Sequence, residues 1–322
     1  MDDRLAVQLK FSELSNEEFV RRAFLLLLRR LPDEDARAEA LASLRTHSLS
    51  RAGLIADLAS SEEFRRLRAL DDGVARAAAA RATRERPHGL TAPAELDERA
   101  IEMAWTLGRY RSERRVLDVG YAFAEPVWLA GLVAAHPREL TGVDLVAREV
   151  PGMQTVVADL RQLPFGDRSF DVVFCVSTLE HVGADNTRYG SAAERDPAGP
   201  RDALRELRRV TTRGGRILLT VPSGERTGDE WYVKHSADDW RALFRETDIY
   251  VYDEEEYART ADGWQAGTNG AERVLCAELH PGRRRHELVR RLVPLSVLLS
   301  SVWVASTKPE AALARTKAGL PW

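Results

Sequence analysis

The first seventy residues alternate apolar and charged positions with the period of an α-helix. One stripe has the three- and four-residue spacing of a helix face and comprises Phe19, Val20, Ala23, Phe24, Leu27 and Leu28. A second set at similar spacing comprises Leu41, Leu44, Leu54, Ile55 and Leu58. The Ser-x-x-Glu pattern that caps helix N-termini occurs at Ser15–Glu18 and Ser60–Glu63, and Pro32–Asp33 ends one helix and opens another. The pattern predicts a small all-α domain over residues 1–75.

Beyond this region the pattern changes twice. Residues 76–95 are rich in Ala and Arg and then contain Pro87, Gly89 and Pro93, which predicts a helix tail and a linker. After a helix around Glu95 to Arg109, short runs of apolar and β-branched residues alternate with helical segments. The runs are Arg115 to Val119, Glu139 to Val143, Thr155 to Ala158, Asp171 to Ser177 and Arg216 to Val221. This alternation predicts an α/β domain with a doubly wound, mostly parallel sheet over residues 96–280.

The C-terminal part allows two interpretations. Arg273 to Leu279 and Ser301 to Thr307 both read as strands, so the final antiparallel strand has two candidates. Residues 281–322 form a basic and apolar extension in which a cluster of arginines precedes an apolar run that begins at Leu292. A basic amphipathic helix on a membrane surface has this character. Packing against the α/β domain or another subunit is favoured, because large apolar faces are rarely left exposed.

Composition narrows the class of protein. With 322 residues, 30% of them charged and a net charge of −3, the chain is long enough for two domains and lacks the basic field of a nucleic-acid binder. Cys175 and Cys276 lie in apolar runs without metal-ligand spacing, so we expect buried thiols, no metal site and a cytoplasmic location. The first residues lack the pattern of a secretory signal, and no apolar run is long enough to span a membrane.

A candidate ligand site follows the first two strands. Asp118 and Gly120 lie at the first strand-to-helix junction, where ligands of open α/β sheets bind beyond the carboxyl ends of the strands. A tight turn that binds nothing would also use a lone glycine. Asp144 ends the second strand, where a carboxylate can accept hydrogen bonds from a ribose diol. These residues alone fit a dinucleotide binder equally well.

The next segments favour one family. Val156 to Leu160 closes the third strand, residues 165–183 read FGDRSFDVVFCVSTLEHVG, and residues 206–222 read ELRRVTTRGGRILLTVP. In this order the chain resembles class I S-adenosylmethionine-dependent methyltransferases of the type 11 kind. The resemblance implies a Rossmann-like sheet of seven strands and S-adenosylmethionine as the cofactor. A nicotinamide-dependent oxidoreductase is disfavoured, because the full glycine fingerprint is missing.

The resemblance also assigns residues to the cofactor. Asp159 is implied to accept a hydrogen bond from the adenine amino group, and Ser177 to lie beside the methyl donor. With the residues that adjoin these motifs, the predicted cofactor-binding set is Asp118, Gly120, Tyr121, Asp144, Asp159, Leu160 and Ser177. Ala122 and Ala124 stand where the family usually has glycines, which leaves a non-catalytic binding or scaffolding protein as the alternative.

Two histidines are candidate catalytic bases. Transfer of a methyl group to a hydroxyl needs a base, and His181 is the first candidate because the ordinary pKa of histidine lies near neutrality. A structural role for His181 is the competing interpretation. His235 follows the fifth strand and is the second candidate, with Trp231 and Tyr232 nearby to stack on a ring. Residues 184–200 are predicted to form a lid over the substrate. Asp185 and Asn186 in this segment have oxygen atoms of the kind that bind magnesium, but two such residues do not establish a metal site.

These features lead to a functional hypothesis. The stretch EHVGADNTRYG at residues 180–190 resembles methyltransferases of bacterial glycan and natural-product pathways. Residues 19–64 resemble a short helical domain of unknown function found beside glycosyltransferases and methyltransferases of surface-glycan pathways. We therefore expect O-methylation of a small hydroxylated acceptor such as a saccharide or glycan precursor. A glycan-assembly or peripheral membrane partner and a homo-oligomer are further expectations.

Overall fold

The N-terminal part of the protein is helical in the computed structural model, which describes residues 14–191, 195–225, 227–229 and 231–282. Its helices are α1 (Asn16–Leu28), α2 (Glu34–Arg45), α3 (Arg51–Ser60) and α4 (Glu62–Thr83). Every residue of the apolar stripe predicted on α1 is buried, and the stripe packs against Leu44, Leu54 and Leu58 of the next two helices. The prediction that the N-terminal region is helical is confirmed.

Side-chain caps fix the starts of these helices. The Ser15 hydroxyl accepts a hydrogen bond from the Glu18 amide at 3.2 Å, as predicted. The prediction for Ser60 was wrong, because α4 is capped by Ser61, whose hydroxyl accepts from the Phe64 amide at 3.1 Å. Helix α3 continues through Ser60, whose hydroxyl donates back to the Asp57 carbonyl at 3.0 Å. The chain becomes extended only at Ser61, where an N-cap residue has to be.

Helix α4 joins the helical region to the sheet. It extends to Thr83, so the first part of the predicted linker is helical, and residues 84–98 then lead to α5 (Arg99–Gly108). Ala92 in this connection exchanges backbone hydrogen bonds with Trp264 at 3.2 and 2.7 Å. The predicted domain boundaries at residues 75 and 95 stay predictions, because the described residues up to Pro281 form one compact unit.

An eight-stranded sheet organises the rest of the described chain, with strand order β3-β2-β1-β4-β5-β10-β8-β9. The strands are β1 (Arg115–Val119), β2 (Glu139–Asp144), β3 (Gln154–Val157), β4 (Phe170–Val176), β5 (Thr211–Ser223), β8 (Ile249–Thr260), β9 (Gly263–Ala266) and β10 (Arg273–Pro281). Strands β1 to β5 are parallel, and the last three pair antiparallel. The fold-class prediction is confirmed; the sheet gains an eighth strand because β8 turns back into β9.

Helices cover both faces of the sheet. They include α5, α6 (Pro126–Ala134), α7 (Gly199–Val210) and α8 (Ala237–Glu246). Val116 of β1 lies in a core with Trp105 and Trp128, whereas its neighbour Leu117 lies in a second core with Leu204 and Trp240. Alternate residues of one strand therefore enter opposite layers, which explains why the parallel strands are apolar throughout.

A small hairpin follows β5 and consists of β6 (Thr227–Asp229) and β7 (Tyr232–Lys234). Of the two candidates for the last antiparallel strand, the first is confirmed as β10, between β5 and β8. The second candidate, at residues 301–307, and the predicted basic extension lie outside the described residues.

Two further expectations concern membranes and thiols. Cys175 and Cys276 are free and buried, as predicted. Over the described ranges, no helix combines the length and apolar character needed to cross a bilayer.

Arg66 connects the helical region to the sheet and supports a first prediction. Its guanidinium, in α4, donates to Asp97 at 2.9 Å and also to Glu125, which precedes α6. In Arg66→Met both carboxylates lose their guanidinium partner, so the free energy of unfolding should fall by about 1 kcal/mol in urea titrations. The matched control is Arg37→Met, which removes an exposed pair with Glu17 inside the helical region. Equal losses in the two variants would contradict a joining role for Arg66.

Candidate active site

A cleft of about 270 Å³ opens beyond the carboxyl ends of β1, β2 and β4. It lies where the strand order reverses between β1 and β4, the usual place for ligands in open α/β sheets. The structure brings most of the predicted residues to its wall, namely Asp118, Gly120, Asp144, Asp159, Leu160, Ser177 and His181. Tyr121 and His235 do not line this cleft.

The loops after β1 and β4 approach each other so closely that only glycine fits at position 120. Its φ is +78°, and a Cβ built there would collide with the Thr178 hydroxyl. Thr178 is fixed by donating to the Val176 carbonyl at 2.9 Å and the Val119 carbonyl at 3.2 Å. The glycine therefore lets the loops after β1 and β4 come together.

The loop after Gly120 is held by side chains rather than by further glycines. Tyr121 is fully buried, and its hydroxyl donates to the Arg148 carbonyl at 3.0 Å. Its ring lies against Gly142 of β2, away from the cleft. The Arg148 guanidinium donates to the carbonyls of Ala122 at 2.9 Å and Ala124 at 3.2 Å.

Asp118 and Asp144 form an acidic wall. Asp118 is buried and accepts a hydrogen bond from the Trp128 indole at 3.0 Å. Burial raises the pKa of Asp118 to about 7, and the nearby Asp144 carboxylate adds to the effect. The two Asp144 oxygens accept from the backbone amides of Ala122 at 2.9 Å and Leu145 at 2.7 Å. A carboxylate has about four acceptor positions, so Asp144 can also accept from a hydroxyl of a ligand.

Asp159 is paired with a residue that sequence reasoning missed. Arg161 donates to Asp159 through its backbone amide at 2.8 Å and its guanidinium at 2.6 Å. This pairing lowers the pKa of Asp159. The same guanidinium donates to Asp196 at 3.0 Å. Arg161 therefore attaches the segment before α7 to the loop after β3.

Helix α5 supplies a second unpredicted pair. The Ser177 hydroxyl donates at 2.6 Å to Glu102, which is completely buried. Arg99, at the start of α5, donates to the other Glu102 oxygen at 3.2 Å. Ser177 has a φ of +42°, uncommon for a residue with a side chain, and Glu102 holds it in place. A glutamate inside the apolar run IEMAWTLG of α5 was the available signal.

His181 is oriented by a single backbone contact. Its Nδ1 lies 2.8 Å from the Trp231 carbonyl oxygen, which can only accept, so Nδ1 carries the proton and Nε2 is the basic nitrogen. Burial lowers the pKa of His181 below its ordinary value, so the ring is neutral at pH 7. Nε2 lies 4.0 Å from a carboxyl oxygen of Glu180, which is buried.

Aromatic side chains surround His181 and extend to the cleft mouth. The His181 ring stacks on Trp231 with centroids 5.0 Å apart, and Trp231 meets Tyr232 at the same distance. Tyr189 lies 5.5 Å from His181 and 4.7 Å from Phe123. Phe123 is about half-exposed and lines the cleft with Tyr189. Together these rings form what we call the aromatic cluster: Phe123, Tyr189, Trp231 and Tyr232.

The remaining candidates lie apart from the cleft or serve its loop. His235 packs edge-on against Trp240 at 4.7 Å. Asn186 lines the cleft but uses its amide to donate to the carbonyls of His181 and Ala184, each at 3.1 Å. Asp185 accepts from the Thr187 amide at 2.9 Å. Within the described part of the chain, no group of three or more His, Cys, Asp or Glu could hold a metal.

Comparison with known families identifies the domain around this cleft. Residues 117–219 match a family model described as a methyltransferase domain. This chain carries a methyltransferase domain. The enzyme is therefore a methyltransferase, and its cofactor is S-adenosylmethionine. No curated protein matches the sequence.

Solved structures resemble the methyltransferase only distantly. A putative methyltransferase in complex with the Trm112 activator from Haloferax volcanii is 18% identical, with a TM-score of 0.39, over 53% of this chain and 84% of that one. The 1,6-didemethyltoxoflavin-N1-methyltransferase of Burkholderia thailandensis is 15% identical, with a TM-score of 0.40, over 79% and 92%. The [4+2]-cyclase SpnF is 17% identical, with a TM-score of 0.38, over 52% and 75%.

The cleft fits the chemistry of S-adenosylmethionine. This molecule supplies an electrophilic methyl group on a sulfonium. The Asp144 oxygens would accept from its ribose hydroxyls, Asp159 would accept from the adenine amino group, and Leu160 would contact the adenine face. Asp118, Gly120 and Ser177 line the remaining wall, between the strand ends of β1 and β4.

The approach of Gly120 to Thr178 gives a prediction with a matched control. Gly120→Ala combines left-handed strain with the Thr178 collision, so the free energy of unfolding should fall by about 3 kcal/mol and S-adenosylhomocysteine binding should weaken. Gly89→Ala has a similar φ of +58° and no atom near its new Cβ, so it should cost only about 1 kcal/mol. Urea unfolding and calorimetry measure both effects. Similar losses in both variants would disprove the role of the contact with Thr178.

Glu180 gives a prediction about pH. Burial raises its pKa to about 8 from an ordinary 4.5, and one of its oxygens has no hydrogen-bond partner among the residues that the structure describes. Between these values the folded state keeps a proton that the unfolded state releases, so Glu180 lowers stability as the pH rises. Glu180→Gln removes this loss, and its stability relative to wild type should increase by about 3 kcal/mol between pH 5.5 and pH 8.5.

Urea titrations at the two pH values measure this difference. Glu149→Gln, at an exposed surface position, is the control and should show no such change. A constant difference between Glu180→Gln and wild type at both pH values would show that Glu180 is already ionised in the folded protein.

Proposed function

We propose that this methyltransferase transfers the methyl group to a hydroxyl of a small acceptor, with His181 as the general base. The supporting observation is the contact between His181 Nδ1 and the Trp231 carbonyl at 2.8 Å, which leaves Nε2 free to take a proton. Because burial lowers the pKa of His181, the basic form is present at neutral pH without prior deprotonation.

The chemistry of the step explains why such a base is useful. Methyl transfer is an in-line displacement, and most of the rate comes from holding the acceptor oxygen against the methyl group. An alcohol is a weak nucleophile until its proton leaves. His181 lines the same cleft as the proposed donor-binding residues, so an acceptor oxygen between them could lose its proton to Nε2 as the new bond forms.

The aromatic cluster favours a ring-shaped acceptor. Phe123 and Tyr189 line the cleft mouth, and Trp231 extends the aromatic surface beside His181. Aromatic faces stack on the apolar faces of sugars and on aromatic rings. A saccharide or glycan precursor satisfies both the ring and the hydroxyl requirement, and we propose this class of acceptor.

The same hypothesis extends to the location of the enzyme and to the role of its N-terminal helices. A glycan acceptor is consistent with a cytoplasmic enzyme that meets activated precursors before their export. The four N-terminal helices would then serve to bind a glycan-assembly partner or a second copy of the chain. A truncation that begins at Ser61, which removes α1 to α3 and keeps α4 on the sheet, should stay folded and no longer associate with such partners.

His181 gives the experiment that tests the proposal. His181→Asn keeps a side-chain N–H for the Trp231 carbonyl and removes the basic nitrogen. With an acceptor from a screen of sugars and activated sugars using radiolabelled S-adenosylmethionine, kcat should fall by about a hundredfold to ten-thousandfold. The affinity for S-adenosylhomocysteine should be unchanged, because His181 is proposed to take a proton from the acceptor and not to bind the cofactor.

The control is His235→Asn, which lies outside the cleft and should retain its kcat. The wild-type rate should fall only when the pH is lowered below the ordinary pKa of histidine. This decrease at low pH should be absent in His181→Asn. A His181→Asn enzyme with unchanged kcat and pH profile would eliminate His181 as the base.

A further inference from the structure

Two cations converge beyond the carboxyl end of β5, outside the wall of the cleft. Arg273 opens β10 and is level with Ser223, the last residue of β5, whereas Lys234 ends β7. The Lys234 Nζ and the Arg273 Nη2 lie 3.3 and 3.4 Å from the position that a Cβ of residue 224 would occupy. Because Gly224 has no side chain, it leaves room for both charged groups at one point.

These two cations have few partners in the protein. The Lys234 Nζ donates to the Ala271 carbonyl at 3.4 Å, and within the described ranges Lys234 has no ion pair with a carboxylate. The Arg273 Nη1 lies 3.6 Å from an oxygen of Glu256, which also accepts from the Ser223 hydroxyl at 2.7 Å. The Arg273 Nε is buried and has no hydrogen-bond partner among the described residues. The pair therefore keeps a net positive charge.

The arrangement of Lys234 and Arg273 suits a phosphate group. Like charges at this separation repel each other, and an anion between them removes the repulsion. A phosphate monoester carries nearly two negative charges and three acceptor oxygens, so it can accept hydrogen bonds from two cations that approach from different directions. A carboxylate, with one charge and two oxygens, would neutralise only one of the two cations.

This pair of cations lies near His181 but away from the cofactor side of the cleft. Strands β4, β5 and β10 are neighbours in that order, so the ends of β4 and β10 are about 10 Å apart. The Tyr232 ring lies 6.3 Å from the His181 ring. Lys234 follows Tyr232 on the same side of β7, because alternate residues of a strand share a side. An aromatic side chain therefore stands between His181 and the two cations.

We propose that Lys234 and Arg273 bind a phosphate group of the methyl acceptor. This inference rests on the proposed function and makes the acceptor a phosphorylated saccharide, such as a sugar phosphate or a nucleotide sugar. Its reacting hydroxyl would lie at His181, and its ring would lie against Trp231 and Tyr232. A sugar ring with its phosphate linkage can bridge a separation of this size between the base and the two cations.

The scarcity of lysine allows a direct measurement at this site. The lysines of the chain are Lys10, Lys234, Lys308 and Lys317. Reductive methylation with ¹³C-formaldehyde keeps their charge and gives few NMR signals, and Lys234→Arg identifies the signal of Lys234. The labelled protein, saturated with S-adenosylhomocysteine, is titrated with glucose, glucose 6-phosphate and UDP-glucose. Both phosphorylated sugars should shift the Lys234 signal saturably, whereas glucose should not.

Variants of Arg273 test the second cation with the same signal. Arg273→Met should weaken the binding of both phosphorylated sugars by about tenfold to a hundredfold, as expected for the loss of a charge-assisted pair. Arg273→Lys keeps the charge and should restore part of the affinity, which a loss of folding would not allow. The matched control is Arg205→Met, which removes an exposed guanidinium that pairs with Asp202 on α7. It should leave the affinities unchanged.

Three results would overturn the proposal. They are the absence of a saturable shift of the Lys234 signal, equal affinities in wild type and Arg273→Met, and inorganic phosphate that binds as tightly as both phosphorylated sugars. The last result would reduce the two cations to a site for free anions.

The proposed function fails in a different measurement. Binding is measured without turnover, so His181→Asn should bind the phosphorylated sugars as wild type does. If this variant also keeps the kcat of wild type, the base hypothesis is lost while the phosphate site stands.

Discussion

The contact between Gly120 and Thr178 is the constraint on which the rest of the site depends. It brings the loops after β1 and β4 together where the strand order reverses, and the cleft is the space beside that junction. Because Val119 is level with Val143 and Cys175 in the neighbouring strands, the side chains that follow all three strands emerge at one edge. Asp118, Asp144 and Ser177 are brought together by this register and not by any local motif.

A second set of interactions connects this edge to the helices that precede the sheet. Glu102 reaches from α5 to Ser177, and Arg66 reaches from α4 to Glu125 at the cleft wall. Buried carboxyls of this kind are costly unless they are paired or protonated. Glu102 is paired, whereas the pKa of Glu180 is raised to about 8 by burial. The N-terminal helices are therefore part of the environment of the site as well as a separate apolar core.

The sequence allowed the parallel strands and much of the cleft wall to be predicted, because buried strands are apolar throughout and ligands bind at their carboxyl ends. It did not reveal Arg99, Glu102 or Arg161, since their roles depend on contacts between distant elements and their spacing has no motif. Strand β8 was missed because its run DEEE has no apolar alternation; its charges face arginines such as Arg109 and Arg241. Tyr121 was expected at the cofactor, but its ring faces Gly142 on the other side of the loop.

The same contacts explain how a loop with one glycine can keep the shape of a cofactor-binding turn. Gly120 alone in this loop has a positive φ; Ala122 lies in a short 3₁₀ turn, and Ala124 is extended with a φ of −65°. Alanine adopts both conformations without strain, so the family's later glycines are not needed to shape the backbone here. Arg148 binds both alanine carbonyls, and the Ala122 amide donates to Asp144. The alanines therefore preserve the path of the loop, and their presence is no reason to expect that donor binding has been lost.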